Sequence, residues 1–265
     1  MTDHTTLQVH GISDRQCPAK IGGNGHSARP VGTGERLRQF LKNETFLGSL
    51  SDGAIDALVR RGHVKKFLAG EFLYRRQERG DTLMVIITGW IKIATSNVDG
   101  KEIVLGFLGA GDTSGEMAVL DDRVRTSDAV ALEDTEVFLV HARDLLPMLT
   151  AHPQALLELI QSLCEKLQDA SAIIEDNSLD MRRRIARGLR RLALQHGRTS
   201  KEGIRVNLAV SQSELGGYLG LSRENVNRQL GQLRDANVIR NDGPRIIVTN
   251  ELALCEIAEA ASAKH

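Results

Sequence analysis

Three observations predict an α+β chain in which a small β-roll, one long helix and a compact helical domain with a β-hairpin follow one another. Glycines at 70, 80, 89, 100, 109 and 111 punctuate short apolar segments, the signature of a barrel or jelly roll of short strands. Next, Leu156, Ile160, Leu163, Leu167, Ala170, Ile174 and Asn177 recur at alternating four- and three-residue steps. That is the a/d spacing of a coiled-coil seam. Finally, Ser211-Gln212-Ser213-Glu214 is an S-x-x-E capping box that opens a pair of short helices.

The 265 residues leave room for two domains and a tail. Lysines and arginines number 34 and are balanced by 34 aspartates and glutamates, so any basic surface must be local. Cys17, Cys164 and Cys255 form no CxxC pair and no metal-type spacing. They read as reduced thiols of a cytoplasmic protein. No apolar run reaches membrane-spanning length and the N-terminus lacks a signal-peptide core, so no membrane partner is expected. Residues 1–34 are rich in Gly, His, Ser and Thr without apolar periodicity, and a disordered tail is expected there. His4, His10 and His26 are spaced too irregularly for a metal site to be expected.

The β-roll is expected over residues 35–152. Leu37, Phe40 and Leu41, then Ile55, Leu58 and Val59, give two short amphipathic helices. Leu83 to Ile87 and Trp90 to Ala94 read as strands, and Asp99-Gly100 turns a hairpin. Val137 to Val140 reads as the last strand, before a short helix from Ala142 to Thr150. The long helix starts at Pro153, a residue suited to a first-turn position, and with its hinge covers residues 153–179. About 25 residues make roughly 37 Å of helix, flanked by Gln161, Glu165, Lys166, Asp169, Glu175 and Asp176. Those polar neighbours leave a narrow stripe, which reads as a parallel dimer seam.

One stretch of the β region is chemically distinct: Gly111-Asp112-Thr113-Ser114-Gly115-Glu116-Met117-Ala118, then Arg125-Thr126-Ser127. The glycines permit close backbone approach, and successive N–H groups can face an anion. Arg125 supplies a planar fork for phosphate and Thr126 a hydroxyl. Glu116, an acceptor only when ionised, suits a sugar hydroxyl. With the long helix that follows, this stretch resembles the cyclic-nucleotide-binding domain of the CRP/FNR family of bacterial regulators. The resemblance implies that Glu116 holds a ribose 2′-OH and that Arg125 and Thr126 hold a cyclic phosphate, with backbone from Gly115, Met117 and Ala118. It also implies a purine contact on the long helix, where the family's Thr-Ser pair is here Ala170-Ser171, and where Lys166 replaces an arginine one turn earlier.

The C-terminal domain is expected over residues 180–265. Asp180 reads as the N-cap of a helix whose apolar face is Ile185, Leu189 and Leu192, surrounded by arginines suited to phosphate attraction. After the capping box, Leu215, Gly216, Leu219, Gly220, Leu221 and Val226 have the offsets of a helix-turn-helix. Ser222 caps its second helix, whose first turns expose Arg223, Glu224, Asn227 and Arg228, residue types that hydrogen-bond base edges. Val238 to Arg240 and Arg245 to Val248, joined through Asn241-Asp242-Gly243-Pro244, make the hairpin wing. The S-R-E-x-V-x-R run at Ser222 to Arg228 is similar to the recognition helix of CRP-like members that read GTGA-type half-sites.

The sequence therefore predicts an N-terminal cyclic-nucleotide-binding β-roll joined by a dimerisation helix to a C-terminal winged helix-turn-helix. By resemblance it is a homodimeric regulator of double-stranded DNA that responds to cAMP, alternatively to cGMP, another effector or none, and that works with RNA polymerase. No catalytic constellation is present, so no enzyme activity is expected. Only Cys17 lies in the N-terminal region, which disfavours an iron–sulfur sensor; His63, His141 and His152 read as surface or structural residues rather than haem ligands.

Overall fold

The computed structural model describes residues 33–260. His4, His10, His26, Cys17 and nearly all of the expected tail lie outside that range; Thr33 and Gly34 are the first residues of helix α1 (Thr33–Glu44). A single 3-10 turn leads to α2 (Asp52–Arg61), where Ser51 accepts from the Ala54 N–H as N-cap. Eight strands follow: β1 (His63–Phe67), β2 (Phe72–Tyr74), β3 (Thr82–Thr88), β4 (Ile91–Ser96), β5 (Glu102–Leu108), β6 (Thr113–Ser114), β7 (Asp128–Ala131) and β8 (Thr135–His141). The short helix α3 (Glu116–Asp121) interrupts them after β6, and α4 (Ala142–Ala151) ends the domain.

The strands form two four-stranded antiparallel sheets, β1-β8-β3-β6 and β2-β7-β4-β5. Side-chain alternation along β3 explains its unbroken apolar sequence. Met84 and Ile86 belong to one core with Ile91, Ala129 and Val137. Leu83 and Val85 face the opposite way, into a second core with Leu41, Ile55, Leu58 and Phe138. The long helix α5 (Pro153–Asp176) joins this second core through Ala155 and Leu159, which are fully buried.

That attachment covers one edge of α5 and leaves most of the predicted seam open to solvent. Leu156 and Leu163 are half-buried, whereas Leu157, Ile160, Leu167 and Ile174 are 53%, 44%, 68% and 70% exposed. The exposed stripe therefore takes in 160, 167, 170, 174 and 177 of the predicted seam together with 157, 164 and 171. Periodicity located an apolar face but could not say that the helix has two, one of them taken by its own domain. Asp176, read from sequence as part of the polar flank, is buried as well.

The winged helix comprises α6 (Met181–His196), β9 (Gly197–Ser200), β10 (Gly203–Val206), α7 (Gln212–Leu219), α8 (Arg223–Asp235), β11 (Ile239–Asp242), β12 (Arg245–Val248) and α9 (Glu251–Glu259). Its sheet has the order β11-β12-β10-β9. The β11–β12 wing pairs Asp242 with Arg245, which leaves a two-residue turn at Gly243-Pro244. Strands β9 and β10 were not foreseen, because Gly197–Ser200 carries no apolar alternation. Gly220 ends α7 in the left-handed region, at φ 65°. Gly216 is required by close approach, since a Cβ there would lie 2.7 Å from the Leu221 carbonyl oxygen.

The winged helix is packed on the β4–β5 hairpin. Val104 and Phe107 of β5 share one buried core with Leu215, Tyr218 and Leu219 of α7. Lys92 on β4 is only 8% exposed; its ammonium donates to Glu102 at 2.8 Å and lies 3.6 Å from Glu214, the acid of the capping box. Trp90 meets the ring of His196 edge-on, with centroids 4.8 Å apart. Burial pushes the His196 imidazole below its ordinary value of 6.5, against the opposing charges of Asp112 and Asp169. The folded form thus binds its proton less readily than the unfolded chain. The stability this neutral ring contributes is present above pH 6.5 and is lost as pH falls below it. In urea unfolding from pH 8 to pH 5, His196→Gln should lose less stability than the wild type. Parallel losses would show that His196 does not titrate against this contact.

Candidate ligand site and nucleic-acid interface

The turn between β6 and α3 brings Gly115 and Glu116 beside Arg125. Gly115 caps α3 with φ 91°, and a Cβ on it would lie 2.1 Å from Arg125 Nη1. Only glycine fits there on both counts. Glu116 is 6% exposed and Arg125 3% exposed. Arg125 donates from Nη1 to the Gly115 carbonyl at 3.0 Å, and from Nη2 to the Thr82 carbonyl at 2.7 Å and the Thr82 hydroxyl at 3.0 Å. Its guanidinium also stands over the Tyr74 ring, 4.5 Å from the centroid. Tyr74 is itself held by a 2.6 Å hydrogen bond between its hydroxyl and that of Ser114.

Every acceptor named for Arg125 is neutral, and among the described residues no carboxylate forms an ion pair with it. Burial lowers its pKa from the ordinary value. Its Nε and Glu116 Oε2 are buried without hydrogen-bond partners. One buried guanidinium N–H and one buried carboxylate oxygen are thus left unsatisfied, an arrangement that costs free energy unless something else supplies the partners. Lys166 of α5 satisfies only the other carboxylate oxygen: it donates to Glu116 Oε1 at 2.7 Å and to the Thr113 carbonyl at 2.9 Å, and Oε2 keeps no partner. Of the other predicted residues, Ala118 is buried, while Met117 and Thr126 face solvent. Ala170 and Ser171 are exposed on α5, one turn beyond Lys166.

In the second domain the Ser211–Glu214 capping box forms in both directions, and Ser222 caps α8 by accepting from the Asn225 N–H. Arg223, Glu224, Asn227 and Arg228 are all exposed on the first turns of α8. Asn227 accepts from Gln212 at 3.1 Å, and Arg228 donates to Asn225 at 2.9 Å. Val226 and Leu230 hold the opposite face in the core. One face of α8 is therefore polar and open, and fixed by the other.

Comparison with known proteins agrees with both halves. Residues 64–152 match the cyclic nucleotide-binding domain model, and residues 183–257 match the Crp-like helix-turn-helix domain model. The cAMP-activated global transcriptional regulator CRP of Haemophilus influenzae is 30% identical over 200 residues, covering 74% of this chain and 88% of that protein. The chain belongs to the CRP/FNR family of transcription regulators. A CRP-like cAMP-activated global transcriptional regulator of Mycobacterium tuberculosis is 28% identical over 223 residues, 84% of this chain and all of that protein. FixK2 from Bradyrhizobium japonicum has the same fold, with a TM-score of 0.67 at 23% identity over 76% of this chain and 99% of that one. This CRP-family regulator thus pairs a cyclic-nucleotide-binding domain with a DNA-binding helix-turn-helix. No helix among the described residues is long and apolar enough to cross a membrane.

Sequence reasoning missed the partners that hold the named residues. Thr82 and Tyr74 brace Arg125, yet each sits in an ordinary strand and carries no signal of its own. Three arginines of α6 are engaged within the fold. Arg184 donates to the carbonyls of Asn177 and Leu179, while Arg187 and Arg191 bind Asp176. Those three make internal contacts, which the sequence could not announce; it linked phosphate attraction to the arginine run as a whole and to no single member of it. His141 lies 3.5 Å from Asp81, and His152 hydrogen-bonds the Met148 carbonyl and Ser51.

Proposed function

We propose that this regulator is a homodimer whose affinity for a two-fold symmetric DNA site rises when each β-roll binds a cyclic nucleotide, with cAMP as the effector. The observation that carries this reading is Arg125, a buried guanidinium facing only neutral acceptors beside a buried carboxylate with an unsatisfied oxygen. A cyclic phosphate supplies the missing anion, and a ribose hydroxyl supplies a donor for Glu116 Oε2. Backbone N–H groups from Gly115 to Ala118 and the Thr126 hydroxyl complete the phosphate contacts. The base then reaches Ala170 and Ser171 on the exposed stripe of α5, where a ligand can contact the two orientations of the winged helices differently. The functional units are the β-roll over 35–152, the dimer helix and hinge over 153–179, and the reader over 180–265. RNA polymerase in the cytoplasm is the further partner.

Calorimetry with cAMP and cGMP tests the effector. Ala170 has no hydroxyl to hydrogen-bond a purine edge, so both nucleotides should bind, with cAMP the stronger activator. No measurable cGMP binding at concentrations that saturate cAMP would show that Ala170 does not set selectivity. No binding of either would refute the effector assignment.

For DNA, the open face of α8 supports GTGA-like half-sites about one helical turn apart. Arg223 and Arg228 read guanines, Glu224 accepts from a cytosine amine, and Asn227 suits adenine. Site selection from a random pool should give the wild type a consensus that Glu224→Ala loses at one base pair per half-site. Removing a carboxylate near phosphates should at the same time leave non-specific affinity equal or higher. The same consensus at the same stringency from both proteins would refute this placement of α8.

A further inference from the structure

Only the four residues 177–180 join the last residue of α5 to the first residue of α6. So short a linker limits the orientations open to the winged helix, and side-chain contacts across it select among them. One set of these centres on Asp176, which is 2% exposed at the end of α5. Its Oδ1 accepts from Arg187 at 3.1 Å and its Oδ2 from Arg191 at 2.8 Å, both on α6. Arg191 also donates from Nε to the Tyr218 hydroxyl on α7 at 2.8 Å, and the Tyr218 ring lies 5.4 Å from Phe107 on β5. Arg187 donates from its own Nε to the Ala258 carbonyl on α9 at 3.2 Å. One buried carboxylate therefore connects the dimer helix to three helices of the reader and, through Tyr218, to the β-roll.

We propose that Asp176 is the positioning residue that fixes the winged helix relative to α5 and passes effector-dependent changes in α5 to α8. This rests on the effector-gated reading above. A carboxylate shared by two guanidiniums and withdrawn from water is costly to separate from either. The fork therefore favours a few discrete orientations over a continuous swing. Its two arginines lie four residues apart on one face of α6, so a rotation of Asp176 moves α6 as a unit. Tyr218 carries the same movement to α7, against which α8 is packed.

Asp176→Asn keeps the shape and one acceptor but removes the charge; Tyr218→Phe removes only the hydroxyl that Arg191 grips. DNA affinity with and without cAMP is read by fluorescence anisotropy, cAMP affinity by calorimetry and folding by thermal denaturation. The ratio of DNA affinities with and without cAMP should fall by about tenfold in Asp176→Asn, and by less in Tyr218→Phe. Affinity for cAMP should stay within about twofold of wild type, since neither residue is placed at the ligand. A purely structural role would lower the melting temperature and leave the ratio unchanged, and that result in folded Asp176→Asn overturns the proposal. If Asp176→Asn does not fold, Tyr218→Phe decides: an unchanged ratio overturns the proposal and a reduced one supports it. A wild-type ratio of one would refute the effector reading instead. Proteolysis within 177–180 then tests the fork alone, faster cleavage of Asp176→Asn supporting it and equal cleavage overturning it.

Discussion

Leu167→Glu separates the proposed dimer into monomers. Leu167 is 68% exposed, midway between Ile160 and Ile174 on the outward stripe of α5. In a two-fold contact between parallel helices the residue meets its own copy. Each copy then forfeits a leucine burial of about 1.5–3 kcal/mol. Two carboxylates are also brought face to face. The pair loses on the order of 3–6 kcal/mol, roughly two to four decades in dissociation constant. Sedimentation velocity reads this directly. Oxidative cross-linking adds geometry, since exposed Cys164 lies on the same stripe between Ile160 and Leu167. The wild type should cross-link through Cys164 and Leu167→Glu should not. A dimer of undiminished affinity in the variant would mean that another surface joins the subunits.

Arg125→Ala loses cyclic-nucleotide binding. A charge-assisted contact to the phosphate contributes about 1.5–3 kcal/mol, so affinity should fall roughly 10- to 150-fold. The same change strips donors from the Thr82 carbonyl and hydroxyl and from the Gly115 carbonyl, so some stability is lost too. Arg125→Lys separates the two effects. It keeps the cation but not the planar fork that spans Gly115 and Thr82, so it should stay folded and still bind weakly. Calorimetry alongside circular dichroism distinguishes the outcomes. Wild-type affinity in a folded Arg125→Ala protein would remove Arg125 from the site.

Residues whose role is local were legible in the sequence, and residues whose role depends on a distant partner were not. The capping box at Ser211 and Glu214, the cap at Ser222 and the turn at Gly220 are fixed by neighbours a few positions away. Each could be placed from spacing alone. Arg125 could be named, but its bracing by Thr82 lies 43 residues off in sequence and had no pattern to announce it. Lys166 was noticed only as a departure from the family, whereas it spans 50 residues to pair with Glu116. Asp176 shows the same limit from the other side. A carboxylate between Glu175 and Asn177 reads as solvated, and only the arrival of Arg187 and Arg191 from α6 allows its burial. Along α5 the 3.5-residue repeat marked one apolar stripe but did not announce the second face, at Ala155 and Leu159, that its own domain buries. The packing of the β4–β5 hairpin on α7 was likewise out of reach, since Val104 and Phe107 look like any other strand residues.

Effector gating is tested most directly by fluorescence anisotropy of the wild-type protein on a labelled duplex carrying two GTGA-type half-sites. The titration is made at fixed salt, without nucleotide and with saturating cAMP. Cyclic AMP should raise DNA affinity by about 5- to 150-fold, the usual range of a coupling between two sites, and a scrambled duplex should show no such gain. Equal affinity with and without cAMP, on the same preparation that binds cAMP in the calorimeter, would contradict gating by the nucleotide.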